Sequence, residues 1–179
     1  MLFALAVTAH AADAATFTGK VVAVQDGDTI LVMRGYHAER MRLHGVDAPE
    51  GGQDFSDRAK QFLSSLVFGR VVKVEYRGID RYGRTVGRVL VDGRDAGLAL
   101  VWAGLAWHHV RYSKDVALAS AEREARGARR GLWVKASPIP PWEFRRVRRR
   151  RALREPDVPK LREGIRGADW RIHTIDAYG

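Results

Sequence analysis

Residues Thr16 to Gln25 are rich in Val and Thr, and Thr29 to Met33 repeat that character, which predicts two strands. Asp26-Gly27 lies between them and is a strong two-residue turn signal. From Glu39 to His44 apolar and polar positions alternate. Met41 and Leu43 fall on one face and Arg40, Arg42 and His44 on the other, the pattern of a half-buried third strand. The period then changes. Phe55, Ala59, Phe62, Leu63 and Leu66 fall at i, i+4, i+7, i+8 and i+11, one apolar stripe of a helix. Asp54 is placed to cap its start and Gly69 to end it. Val71 to Tyr76 and Thr85 to Val91 predict two more strands around the polar turn Arg77 to Gly83. A second helix follows over Asp95 to Ala103, with Leu98, Val101 and Trp102 on one face. A third runs from Lys114 to Arg130, with Ser113 as cap, Glu122 and Arg126 as an i,i+4 pair and Gly131 as stop. Gly127 weakens its last turns by about 1 kcal/mol relative to Ala.

Three strands, a helix, two strands and two helices make an α+β chain. Five short strands with a helix between the third and the fourth is the layout of an OB-type β-barrel with three helices. That architecture often binds oligonucleotides, but fold alone is not function. Residues 15–137 form the expected domain. Pro138-Ile139-Pro140-Pro141 reads as a linker, and Arg145 to Arg154 hold seven arginines in ten residues, a low-complexity basic run. Residues 138–179 are therefore read as a basic C-terminal extension. At the other end, Leu2 to Ala9 are apolar and too short to span a bilayer. They lead into Ala9-His10-Ala11 and Ala12-Asp13-Ala14, small-x-small steps of the signal-peptidase kind. The first positive charge is Lys20, so residues 1–14 read as the remnant of a signal peptide, and the expected location is secreted or periplasmic. No other segment predicts membrane insertion.

Composition narrows the chemistry. The 179 residues include no cysteine, which excludes a disulfide scaffold, a Cys-based zinc site, an iron–sulfur cluster and a thiol nucleophile. Thirty-one Lys and Arg against 21 Asp and Glu give a formal charge of +10, which points to a polyanion or an anionic surface. The excess is uneven. Residues 135–179 hold 12 basic and 6 acidic side chains, a net of +6, while residues 1–134 hold 19 and 15, a net of +4.

Within the less basic body lies an acidic set. Asp28 follows the first turn, and Asp47 and Glu50 flank Ala48-Pro49 beyond the third strand. Three converging carboxylates repel one another without a cation, and all-oxygen donors suit a hard ion such as Ca²⁺ or Mg²⁺. Pro49 biases Ala48 toward an extended conformation, which holds the Ala48 carbonyl and the Asp47 side chain in fixed relation. Arg42 lies on the polar face of the third strand and Arg84 opens the fifth. An arginine fork suits bidentate contact with phosphate oxygens. Three carboxylates, two arginines, one divalent cation and one phosphodiester sum to zero charge. The set balances only with metal and phosphate together.

In combination and order, these segments resemble the staphylococcal nuclease (thermonuclease) family. The segments are Gln25-Asp26-Gly27-Asp28-Thr29, Met41-Arg42-Leu43-His44-Gly45-Val46-Asp47-Ala48-Pro49-Glu50 and Asp80-Arg81-Tyr82-Gly83-Arg84. Gly104-Leu105-Ala106, Gly131-Leu132-Trp133 and Pro140-Pro141-Trp142-Glu143-Phe144-Arg145 extend the likeness over about residues 16 to 145. The resemblance implies a monomeric OB-fold nuclease that cleaves DNA and RNA with Ca²⁺ and leaves 3′-phosphate ends. It implies Asp28 and Asp47 as metal ligands with the Ala48 carbonyl, Glu50 as general base, and Arg42 and Arg84 as a phosphate clamp. Arg81, Tyr82 and Tyr112 match substrate-contacting positions. The chain departs from the family in four places. Ala48 replaces a common Thr, which a backbone ligand tolerates. Gly51 to Ser56 is shorter than the basic loop of the best-known secreted member, as is the turn at Arg77 to Asp80. Val110 stands where the family has a nucleotide-contacting tyrosine.

Other features point to no site. His108 and His109 are adjacent and face opposite sides of a strand, unsuited to a shared metal. Trp102, Trp107 and Trp133 read as core, with base stacking by Trp107 as the alternative. The rival to a nuclease is a non-catalytic nucleic-acid-binding module on the same barrel, which has no need of the full set of five charged residues. A basic protein that associates with anionic surfaces would rest on the arginine run alone.

Overall fold

The computed structural model describes residues 15–154. The predicted strands form β1 (Thr16–Val24), β2 (Thr29–Arg34) and β3 (His37–Leu43), an antiparallel meander in which Val21 faces Val32 and Thr29 faces Arg42. A two-residue strand, β4 (Val46–Asp47), precedes α1 (Ser56–Val67). Then come β5 (Val71–Ile79), β6 (Thr85–Val91), the short β7 (Arg94–Asp95), α2 (Ala96–Trp102), the short β8 (Trp107–His108) and α3 (Val116–Gly127). A 3₁₀ turn over Gly131–Val134 leads to α4 (Pro141–Arg154).

The sheet order β3-β2-β1-β5-β6 closes on itself because β3 also pairs parallel with β6, Met41 opposite Thr85 and Arg42 opposite Val86. Five strands thus make a closed barrel, as the element order predicts. The alternating apolar residues of these strands point inward. Val21, Ile30, Val32, Met41, Val74 and Val89 are fully buried, joined by Ala59, Leu63 and Val67 of α1 and Leu100 and Val101 of α2. A second, smaller cluster joins Trp107, Ala125, Leu132 and Trp133, with the two indoles edge to face at 5.5 Å. Close backbone approach fixes this cluster: Leu132 N–H donates to Gly104 O at 2.8 Å, and a Cβ on Gly104 would lie 2.2 Å from Arg130 O.

Several local expectations change. The β1–β2 connection is not a two-residue turn but a loop over Gln25–Asp28, in which the Asp26 side chain accepts from Asp28 N–H at 3.0 Å. Asp54 does not cap α1. The N-cap is Phe55, with φ of 68° and no side-chain cap bond, while Asp54 pairs with Lys135. A missing cap costs about 1 kcal/mol, whereas burying one leucine contributes about 1.5–3 kcal/mol. Leu63 and the Phe55 ring, which packs against both cores, therefore hold α1 in place. For α3 the cap is Asp115, accepting from Ala117 N–H at 2.8 Å, and Ser113 instead accepts from Asp115 N–H. Trp102 is not core. It is half exposed, with the Arg130 guanidinium over its ring at 4.0 Å.

The largest difference is a fourth helix. Pro141 starts α4 rather than ending a free linker, since it is buried in the first turn, where its missing N–H is no loss. Phe144 N–H donates to Pro140 O at 3.1 Å. No helix among the described residues is long and apolar enough to cross a membrane. The segment read as a signal-peptide remnant lies outside the described residues.

Candidate active site

One loop and two strands meet at one end of the barrel. The turn after β1 carries Asp28, the polar face of β3 carries Arg42, and β4 carries Asp47. Gly27 lets the first loop press against the others, since a Cβ there would lie 2.6 Å from Ala48 Cβ and 2.8 Å from Ala59 Cβ. Asp47 is held from the far side by the pairing of β4 with β8, opposite Trp107.

Arg42 joins the two aspartates. Its Nη1 donates to Asp28 Oδ1 at 2.9 Å and its Nη2 to Asp47 Oδ1 at 2.5 Å. Both carboxylates are buried, Asp28 at 4% exposure and Asp47 at 0%. The other oxygen of Asp28 accepts from Ala48 N–H at 3.0 Å, and its Oδ1 also accepts from the Thr29 hydroxyl. Burial nevertheless dominates and pushes the Asp28 carboxyl up to about 7. Arg42 and Ala48 N–H oppose that shift, while Asp26 and Asp47 add to it. Burial works against the Arg42 charge as well, but the two aspartates more than offset it and hold its guanidinium above the ordinary value.

A second arginine arrives from the last helix. Arg145 Nη2 donates to Asp47 Oδ2 at 2.7 Å, and its Nη1 bonds Glu50 Oε1. Burial opposes its charge, yet the bonds to Asp47 and Glu50 raise its pKa. Glu50 is positioned from its backbone too: its N–H donates to Gln53 Oε1 at 2.8 Å, and Gln53 Nε2 donates to Ile139 O at 3.1 Å. His109 Nε2 stands 3.9 Å from Asp47 Oδ2. Desolvation lowers the His109 pKa, against the pull of Asp47.

Arg84 is organised separately. Its Nε donates to Asp80 Oδ2 at 2.7 Å, and its guanidinium lies over the Tyr82 ring at 5.4 Å. Burial resists the ionised form of Asp80, but bonds from the Arg84 and Tyr82 backbone and the Arg84 side chain lower its pKa. Arg84 directly precedes Thr85, which faces Met41 across the closing strand pair. It therefore lies at the same end of the barrel as Arg42 but is bonded to Asp80 and not to Asp28, Asp47 or Glu50. Arg81 bonds the Tyr82 hydroxyl at 2.7 Å, and Tyr82 is 63% exposed. Tyr112 is 67% exposed, with its ring 4.6 Å from that of His109.

The structure thus brings Asp28, Arg42, Asp47, Ala48 and Glu50 together and leaves Arg84, Arg81, Tyr82 and Tyr112 around them. As expected, the two histidines part. His108 is buried and its Nε2 lies 3.1 Å from Ser113 O, whereas His109 turns to Asp47. Trp107 is 3% exposed and packs in the core. Arg145 and His109 are the site residues that the sequence reading leaves without a role. Arg145 closes the last of the segments that carry the family likeness, and that position is the only signal for it.

Three carboxylates and two guanidiniums in a mostly buried cleft can bind an oxyanion, polarise it and take a proton from water. Among the described residues no three His, Asp or Glu side chains are arranged to enclose a metal; the arginines hold the carboxylate oxygens instead. Comparison with known proteins agrees with the geometry. The family model described as "Staphylococcal nuclease homologue" matches residues 40–135. An "Uncharacterized endonuclease" of Escherichia coli is 45% identical over 128 residues, 71% of this chain and 84% of that protein. "Protein ParB" of Escherichia coli is 41% identical over 155 residues, 80% of this chain and 88% of that protein. "Micrococcal nuclease" of Shigella flexneri is 40% identical over 144 residues, 74% and 83% of the two chains. Barrel, ordered motifs and relatives coincide: the chain belongs to the staphylococcal nuclease family.

Proposed function

We propose that this protein is a calcium-dependent nuclease that hydrolyses phosphodiester bonds of DNA and RNA and leaves 3′-phosphate ends. The observation that carries this reading is the Arg42 fork, which ties two buried aspartates together beside Glu50. The names of the relatives support a hydrolytic nuclease. Asp28, Asp47 and the Ala48 carbonyl would hold the cation, an all-oxygen set suited to a hard ion. The raised pKa of Asp28 supports the fit, because this buried carboxyl has less positive charge near it than its ionised form requires. When bound, Ca²⁺ supplies positive charge that polarises a phosphoryl oxygen and stabilises the transition state.

The remaining roles fall to side chains. Arg42 donates to a nonbridging phosphate oxygen from the edge of its carboxylate bridge, and Arg84, oriented by Asp80, donates to another. These charges meet the negative charge that grows on the phosphoryl oxygens. Arg145 engages Oε1 of Glu50, which leaves Oε2 to accept a proton from the attacking water. Water adds to phosphorus, the bond to the 5′ oxygen breaks, and that oxygen takes up a proton. Arg81 contacts the backbone, and the exposed rings of Tyr82 and Tyr112 offer stacking surfaces for bases.

Export to a secreted or periplasmic location is part of the same proposal. It rests on the apolar Leu2–Ala9 segment and the small-residue steps after it. The test of activity is incubation of the purified protein with plasmid DNA and single-stranded RNA, in Ca²⁺ and in chelator. Cleavage that requires Ca²⁺ is expected. Cleavage indifferent to chelation overturns the metal assignment, and binding without any cleavage identifies the binding-module alternative.

A further inference from the structure

Helix α4 begins inside the site and leaves it carrying arginines, several of which meet no acidic side chain among the described residues. Its first turn is anchored: Pro141 is buried, the Trp142 ring lies 5.3 Å from that of His109, and Arg145 bonds Asp47 and Glu50. Beyond Arg145 every residue to Arg154 is exposed. Among the described residues, Arg146, Arg148, Arg149 and Arg150 meet no acidic side chain.

Arginines three and four positions apart on a helix are neighbours and repel one another. Arg145–Arg149, Arg146–Arg150 and Arg150–Arg154 are such pairs. Among the described residues this helix buries almost nothing past Arg145, so no core there offsets that repulsion. A ligand with closely spaced negative charges would.

Helical geometry also gives the run a direction. Arg148 and Arg149 stand three and four residues after Arg145 and share its face. They continue the side of the helix that meets Asp47 and Glu50, about 4.5 and 6 Å further along the axis at 1.5 Å per residue. Arg150 and Arg154 lie on the opposite side.

We infer that Arg148 and Arg149, on the face of α4 by which Arg145 meets the site, form a second phosphate-binding surface, continuous with the cleavage site, that holds substrate backbone flanking the scissile bond. This rests on the nuclease reading for the identity of the polyanion. Duplex DNA presents a charge about every 1.7 Å of axis, so two arginines one turn beyond the site can each meet a phosphate. Backbone contacts of this kind carry no sequence preference.

The test measures binding of a fluorescent 20-base-pair duplex to the full chain in chelator at several salt concentrations. It compares wild type, the double variant Arg148→Gln/Arg149→Gln and the equally charged control Arg150→Gln/Arg154→Gln. Each phosphate contact contributes about 0.9 to the slope of log K against log salt. The first variant should lower that slope by about 2 and the control by less than half as much. Equal losses, or none, overturn the inference. So does a variant that loses binding to phosphatidylserine vesicles while keeping its DNA slope.

The nuclease reading is tested separately with a mononucleotide 5′-aryl phosphodiester, too short to reach Arg148. All three proteins should cleave it in Ca²⁺ at the same rate. If none does, the nuclease reading fails, and the duplex slopes still decide whether α4 binds phosphate.

Discussion

Arg145 and Asp47 are 98 positions apart in sequence and meet at 2.7 Å. Asp47 is fully buried, so this bond carries much of its compensation. Breaking a buried ion pair by removing one partner costs about 3–5 kcal/mol, and the 40% exposure of the Arg145 side chain reduces that. Arg145→Ala should therefore destabilise the protein in chelator by about 1–2 kcal/mol in urea unfolding. Saturating Ca²⁺ should shrink the deficit, because the cation replaces the missing charge. A deficit unchanged by Ca²⁺ would mean that Arg145 and the metal do not serve the same carboxylates.

Glu50 makes its side-chain bond to Arg145 and is held by Gln53 through its backbone, so its carboxylate contributes little to the fold. Removing a general base costs about 10²–10⁴-fold in rate. Glu50→Gln should lose turnover on that scale while binding a duplex in chelator with unchanged affinity. Full activity in the variant removes Glu50 from proton transfer.

The raised pKa of Asp28 gives the metal-free protein a predictable pH dependence. The unfolded carboxyl titrates near 3.8 and the folded one near 7. Between these values the folded state binds more protons, so this group's contribution is full below about pH 4 and is lost as pH rises through 7. Stability of the wild type relative to Asp28→Asn should fall as pH rises from about 4 to about 7 in chelator, by a few kcal/mol at most. Calorimetry should also show a proton leaving as Ca²⁺ binds near pH 6.5, since the ligand must be ionised. An unchanged difference across that window means that folding does not raise the Asp28 pKa.

Gly27 makes room for the meeting of the two acidic loops. Alanine there would bring its Cβ to 2.6 Å from Ala48 Cβ, and overpacking of this kind costs about 1–3 kcal/mol. Gly27→Ala should lower the melting temperature and weaken Ca²⁺ binding together, because any relief separates Asp28 from Ala48. Lower stability with unaltered Ca²⁺ affinity would show that the neighbours yield elsewhere, around Ala59.

The barrel was legible because its strands obey a period of two and its helices a stripe, and both patterns are set by one buried face. The acidic set was legible as types at spacings. Sequence could not show that Arg42 bridges Asp28 to Asp47, since that depends on the register of β2 with β3 and on the two-residue pairing of β4 with β8. A single proline at a helix start is enough to change a linker reading. Pro138–Pro141 look like punctuation, yet Pro141 buried in a first turn starts α4. Trp102 is half exposed under Arg130 rather than core, because an apolar helix face does not reveal whether a guanidinium or the core will cover it.

The parallel pairing of β3 with β6 has a bearing on when the protein becomes active. Met41 and Thr85 meet across 44 residues, and nothing local brings them together. Contacts so distant in sequence form late and slowly in folding. Arg42 and the segment carrying Arg84 acquire their relative position only at that step. A chain still emerging or partly folded therefore holds Arg42 and Arg84, the proposed phosphate clamp, on separate pieces, and their relative placement comes into being all at once with the barrel. Recovery of cleavage after dilution from denaturant is accordingly a direct clock for closure of the fold.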